Sequence, residues 1–126
     1  MQKKILIIED DSFLRELLAK KLTANGFKVG QTADGQGALS YLKEQKPDLI
    51  ILDLLLPKID GFEVLSKIKN DPQTSSIPIL ILSNLAHKEE IERGFKLGAL
   101  DFLIKSQYTP EEIVVKVKEI LEKKSE

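Results

Sequence analysis

The residues of this sequence best able to do chemistry together all stand at the ends of short apolar runs. Glu9, Asp10 and Asp11 follow Ile5-Leu6-Ile7-Ile8; Asp53 follows Leu49-Ile50-Ile51-Leu52; Ser83 and Asn84 follow Ile79-Leu80-Ile81-Leu82; Lys105 follows Phe102-Leu103-Ile104. Asp53 is the oddest of them, because aliphatic residues flank it on both sides, and an ionised carboxylate taken out of water needs a partner or shifts its pKa. Gathered carboxylates cannot all stay ionised without counter-charge, and one ammonium, Lys105, is too little. A hard divalent cation supplies the rest. Mg2+ takes oxygen ligands, typically one or two carboxylates with waters and phosphate oxygens. Zinc fits poorly: the sequence has no Cys, and its one His, His87, stands apart from the set.

A metal beside a carboxylate points to phosphoryl transfer, where positioning and charge neutralisation do nearly all of the catalysis. Asp53 is then a nucleophile that attacks phosphorus in line and becomes an acyl phosphate. Mg2+ and Lys105 offset charge on the equatorial oxygens, and the Ser83 hydroxyl bonds to one of them. Nucleotide binding is a weaker fit, since the Glu9-Asp10-Asp11 loop repels phosphate and no GxGxxG or P-loop motif occurs.

The apolar runs are too continuous for strands with one wet face, so they read as strands buried on both sides. Weaker strands fit Lys28 to Thr32 and Phe102 to Ile104. Between them lie helical faces. Leu14, Leu17, Leu18 and Leu22 form one that ends at Asn25-Gly26; Ala38, Leu39 and Leu42 form another before Pro47. Asp60-Gly61-Phe62-Glu63 reads as a capping box opening a third helix through Val64, Leu65 and Ile68. Ile91, Phe95 and Leu97 line a short fourth closed by Gly98, and Thr109-Pro110-Glu111-Glu112 opens a fifth with Ile113, Val117, Ile120 and Leu121 inward. Strands alternating with helices predict an α/β fold: a (βα)5 doubly wound, five-stranded parallel sheet, flavodoxin-like, in strand order 2-1-3-4-5. Ligands in such sheets bind beyond the carboxyl ends of the strands near the switch point, where the odd residues fall.

With 126 residues, 42% hydrophobic and 31% charged, the expectation is one domain over 1–126 without an output domain. A net charge of -1 gives no electrostatic reason to expect direct nucleic-acid or membrane binding. The lysines of the last helix, Lys116, Lys118, Lys123 and Lys124, are interleaved with Glu111, Glu112, Glu119 and Glu122, which reads as a solvated face. No Cys and no signal peptide suit the cytoplasm.

With these residues in place, the chain resembles the receiver domain of two-component response regulators, of the chemotaxis-regulator type. The resemblance runs through Ile5 to Asp11, Asp53 with Pro57 and Asp60-Gly61, Ile77-Pro78 and Ser83, and Gly98-Ala99 through Lys105. It implies that Asp53 is the phosphoacceptor, that Asp10 ligates Mg2+ directly and Glu9 largely through water, and that the Leu55 main-chain carbonyl completes the metal site. It implies that Ser83 and Lys105 contact the phosphoryl group, and that Ser83 and Phe102 are switch residues remodelling the face of the fourth helix, fifth strand and fifth helix. The donor would be a sensor histidine kinase or histidine phosphotransfer protein, and the output a downstream protein target. The domain would be a monomer or weak homodimer that catalyses only its own phosphorylation and dephosphorylation.

Two positions depart from the family pattern. Ser106 replaces the usual Pro after Lys105, which predicts a trans peptide, since a cis bond without Pro costs about 3 kcal/mol. Asn84 replaces a small residue, which predicts narrower access to Asp53 and slower phosphorylation or hydrolysis. Other readings stand beside these. Asp11 or Ser12 caps the first helix and Asp60 the third; His87 is solvated; Phe102 could be core. A Mg2+-dependent aspartyl-nucleophile phosphatase is an alternative, weakened because haloacid-dehalogenase enzymes place a second Asp where Leu55 stands. A constitutive interaction module is another.

Overall fold

The computed structural model describes residues 2–125, with side chains for residues 2–123. The apolar runs become strands because each is covered on both faces. In chain order the elements are β1 Lys4–Ile8, α1 Ser12–Ala24, β2 Lys28–Thr32, α2 Gly35–Glu44, β3 Leu49–Leu52, α3 Gly61–Asn70, β4 Ile79–Ser83, α4 Lys88–Lys96, β5 Asp101–Ile104, a 3-10 turn Lys105–Gln107, and α5 Pro110–Ser125. The strands are all parallel in the order β2-β1-β3-β4-β5, as the sequence predicts.

Alternate residues of each central strand feed opposite layers. Ile5, Ile7, Ile51, Leu80 and Leu82 meet Leu18 and Leu22 of α1 and Ile113 and Val117 of α5. Leu6, Ile8, Ile50, Leu52, Ile79 and Ile81 meet Ala38 and Leu42 of α2 and Val64, Leu65 and Ile68 of α3. Each fully buried Leu or Ile contributes about 1.5–3 kcal/mol relative to exposure, so two such layers fix the register firmly.

Helix ends follow their local chemistry. Asp11, Asp34 and Asp60 are N-caps of α1, α2 and α3, each accepting backbone N–H groups of the first turn. Thr109 and Glu112 close a reciprocal capping box on α5 at 2.8 and 3.1 Å. Gly26 (φ 92°) and Gly98 (φ 109°) leave α1 and α4 in the left-handed region that glycine adopts without strain. On α5, Lys116 pairs with Asp101 and Glu111 with Lys21, while Lys118, Glu119, Glu122 and Lys123 are exposed. The side chain of Lys124 lies outside the described residues.

One helical face differs from expectation. Phe95 does not point inward but is 46% exposed, and Gly94 is the buried residue of α4. A Cβ on Gly94 would lie 2.8 Å from Ile81 Cδ1, so the missing side chain lets α4 approach β4 and turns Phe95 outward. The Lys105–Ser106 peptide is trans, as predicted.

Gly61 joins the fold to the strand end that carries Asp53. Its N–H donates to Leu54 O at 2.9 Å, and a Cβ there would collide with Leu54 Cα and lie 2.5 Å from Asp53 O. Backbone atoms cannot yield as a side chain can. Gly61→Ala is expected to destabilise by about 2 kcal/mol, a fall in Tm of about 8 °C, as α3 is forced off the β3 end. An unchanged Tm in a thermal melt would mean that α3 pivots freely at its first residue.

Candidate functional site

The carboxyl ends of β1, β3, β4 and β5 converge on one edge of the sheet. β1 delivers Glu9, whose backbone N–H is held by Thr32 O at 3.1 Å, and Asp10 after it; β3 delivers Asp53, held through its N–H by Ile8 O at 3.0 Å. Carboxylate oxygens of Glu9, Asp10 and Asp53 all lie within 4.8 Å of one another. Glu9 and Asp53 are each only 3% exposed, whereas Asp10 is exposed. The expected clustering of acids is therefore present, and two of its three members are dry.

Lys105 is the counter-charge. From the 3-10 turn after β5, its Nζ reaches Glu9 Oε1 at 2.6 Å and Asp53 Oδ2 at 2.8 Å. The other oxygens are also engaged: Glu9 Oε2 accepts Asp11 N–H at 3.1 Å and Asp53 Oδ1 accepts Leu55 N–H at 3.2 Å. Asp10 makes no side-chain hydrogen bond or ion pair among the described residues. Burial raises the Glu9 pKa above its ordinary value, opposed by the bonds from Lys105 and the Asp11 N–H, with the Asp53 charge raising it further. Burial also presses on Lys105, but its bonds to Asp53 and Glu9 outweigh that and raise its pKa.

The site fits a hard divalent cation on its donor chemistry. Three carboxylates face one ammonium, every candidate side-chain ligand is an oxygen, and Asp10 is unengaged by protein groups among the described residues. Leu55 lies in the turn directly after Asp53, joined to it by the bond to Asp53 Oδ1.

The remaining expected residues fall as follows. Ser83 is buried at the end of β4, and its Oγ accepts Leu85 N–H at 3.1 Å, so the hydroxyl is engaged by its own loop. Phe102 is half-buried against the α2–α3 layer, beside the bare backbone of Gly94. His87 is exposed and starts α4, donating its N–H to Glu90 at 3.0 Å, away from the acids. Two contacts carry no signal in the sequence. Arg15, one turn into α1, donates Nη1–H to Glu9 O at 2.9 Å, which adds a second cation behind the acidic loop. Asn84 is turned to the β5 side, where its Oδ1 accepts Ser106 N–H at 3.0 Å.

This geometry meets known proteins closely. Residues 5–118 match the family model of the response regulator receiver domain. The chain is 40% identical over 123 residues to the alkaline phosphatase synthesis transcriptional regulatory protein PhoP of Bacillus subtilis, covering 96% of this chain and 49% of that one. It is 38% identical over 118 residues to the DNA-binding dual master transcriptional regulator RpaA of Synechocystis, covering 94% of this chain and 48% of that one. The chain thus spans about half the length of the curated relatives it matches. Among solved structures, that of the phosphorylated cyanobacterial phytochrome response regulator RcpA superposes with a TM-score of 0.82 at 34% identity, covering 95% of this chain and 91% of that one. No helix among the described residues is long and apolar enough to cross a membrane. A five-stranded sheet in this order, an acidic cluster at its carboxyl edge and a family match along nearly the whole length have one reading: the chain belongs to the response regulator receiver domains of two-component signalling.

Proposed function

We propose that this chain is a single receiver domain over residues 1–126 that accepts a phosphoryl group on Asp53, with Mg2+ as cofactor, and so switches a protein-binding face. The carrying observation is the Lys105 ammonium 2.8 Å from Asp53 Oδ2 and 2.6 Å from Glu9, beside the unengaged carboxylate of Asp10. Asp10, Asp53 and the Leu55 carbonyl would hold the metal, with Glu9 acting through water; bound Mg2+ supplies charge neutralisation at the phosphoryl oxygens. The chain's own residues do the rest. An Asp53 carboxylate oxygen attacks phosphorus, the bond from phosphorus to the donor's nitrogen or oxygen breaks, and its electron pair leaves with the donor. Lys105 follows the charge onto the new phosphoryl oxygens, and the Ser83 hydroxyl leaves Leu85 to donate to one of them. Water later returns phosphate and the free carboxylate, so the only substrate is the domain itself.

The donor is a sensor histidine kinase or histidine phosphotransfer protein, with the cytoplasm as the setting. Ser83 and Phe102 transmit the change to the face of α4, β5 and α5, where Phe95 (46%) of α4 and Leu100 (53%) before β5 are large apolar residues left exposed, suited to a protein target. DNA binding is a named property of RpaA, a protein about twice the matched length. This chain's own lysines on α5 are matched by acids, so its output is contact with protein rather than with nucleic acid.

Intact mass after incubation with acetyl phosphate tests the proposal. One phosphoryl mass gain that requires Mg2+ and maps to the peptide containing Asp53 is the expected result. No gain in a folded, Mg2+-supplied sample would leave the domain a constitutive binding module.

A further inference from the structure

The last rung of the β4–β5 ladder pairs Ser83 with Ile104, yet the two strand ends are joined once more beyond it. Asn84 Oδ1 accepts Ser106 N–H at 3.0 Å. Ser106 is the middle residue of the 3-10 turn Lys105–Gln107, and the first N–H groups of a helical turn have no carbonyl of their own to bond. Asn84 supplies the missing acceptor from the neighbouring strand, as an N-cap side chain does within one element.

That bond sits one residue from two important side chains. Ser83 precedes Asn84 and Lys105 precedes Ser106. Lys105 carries its ammonium on a flexible four-carbon stem, so the charge is only as well placed as the backbone beneath it. Its two contacts, 2.6 and 2.8 Å, converge on oxygens contributed by β1 and β3, so a loose turn would misplace both.

We infer that Asn84 is a positioning residue: by accepting the Ser106 N–H it latches the turn that bears Lys105 to the β4 end, and so sets where the ammonium meets Asp53. A Pro after Lys105 would have no N–H to offer, so Ser106 and Asn84 act as a pair, each giving the other its purpose. The inference rests on the reading of Asp53 as phosphoacceptor. It gives Asn84 the opposite sign from a steric gate, which would hinder the donor's approach.

Asn84→Ala and Asn84→Leu separate the two. Leu keeps the branched shape of Asn with somewhat more bulk but accepts no hydrogen bond, and the site is exposed, so both variants should melt with the wild type. A latch predicts that both slow Mg2+-supported phosphorylation by acetyl phosphate by about fivefold, because small misplacement of a charge-bearing group is costly. It also predicts that Ser106 amide exchange, read by NMR without any donor, speeds up in both by about fivefold, the loss of a modest hydrogen bond. Faster phosphorylation in Asn84→Ala, with a normal or slower rate in Asn84→Leu, would assign a gate and overturn the latch, as would unchanged Ser106 exchange or unchanged rates in both. A wild type that takes up no phosphoryl group overturns the phosphoacceptor reading and the positioning role with it, a failure that the unphosphorylated variants' exchange data keep distinct from a missing bond.

Discussion

Asp53→Asn is expected to abolish the phosphoryl mass gain while leaving the protein folded. Asn is the same shape as Asp, and one of its two terminal atoms still accepts a hydrogen bond. In the wild type both oxygens receive donors, Oδ1 from Leu55 N–H at 3.2 Å and Oδ2 from Lys105 at 2.8 Å, so the amide group of Asn must face one donor with another. That mismatch costs stability. Against it, the cluster loses one of three carboxylates crowded within 4.8 Å, which relieves repulsion. The opposing effects are each on the order of 1 kcal/mol, so Tm should stay within about 5 °C of the wild type. On the reading of Asp53 as phosphoacceptor, what cannot be replaced is the nucleophile, since an amide oxygen at neutral pH does not displace a leaving group from phosphorus. Mg2+ affinity, followed by titration calorimetry, should fall by about tenfold or more with the loss of a charged oxygen ligand. A mass gain that survives in Asp53→Asn would move the phosphoacceptor to another carboxylate, Asp10 first, because it alone of the cluster lacks a protein partner among the described residues.

The fold and the acid cluster were legible in the sequence for a physical reason. A parallel strand covered on both faces is apolar at every position, so β1, β3 and β4 appear as unbroken Ile and Leu runs, and any charge that interrupts them marks an end. β2 and β5 lie at the sheet edges and are less uniformly apolar, so the apolar pattern marks β5 only from Phe102 although the strand begins at Asp101. The inward face of α4 differs from the apolar pattern because Gly94 acts by having no side chain: hydropathy assigns it nothing, while Ile81 and Phe102 pack into the space it leaves. Although Asn84 and Ser106 each stand out in the sequence as departures from the family pattern, the contacts of Arg15 and Asn84 are illegible for another reason. Each bonds a backbone group on a different segment, Glu9 O and Ser106 N–H, and such pairings depend on how strands lie side by side rather than on any spacing along the chain.

Lys105→Met should show how far the site depends on its one ammonium. Met fills much of the same volume but leaves Glu9 and Asp53, each 3% exposed, with like charges and no cation between them. Stranding a buried charge by removing its partner costs about 3–5 kcal/mol; because Lys105 itself no longer has to be desolvated, a loss of about 3 kcal/mol is expected in EDTA. The pH dependence is diagnostic. The folded-state pKa of Glu9 is raised by burial, so protonating Glu9 favours the fold: its contribution is fully present below the unfolded value of 4.5 and is lost as pH rises through the folded value. Removing Lys105 raises that folded value further, so the deficit of Lys105→Met should be largest at neutral pH and shrink on acidification. In the wild type the Lys105 pKa is raised above 10.5, so its contribution holds below that pH and disappears only as pH climbs through the folded value. Urea denaturation at neutral and mildly acid pH measures both trends. Mg2+ should restore part of the variant's stability, since any ligand of the folded state alone stabilises it by mass action. It should not restore chemistry: with no ammonium to meet the phosphoryl oxygens, uptake from acetyl phosphate should fall by about a hundredfold, the scale of losing one preorganised donor to a developing charge. A variant as stable as the wild type in EDTA at neutral pH would show that the buried acids do not depend on the Lys105 ammonium, and that the cluster carries less charge than its carboxylates suggest.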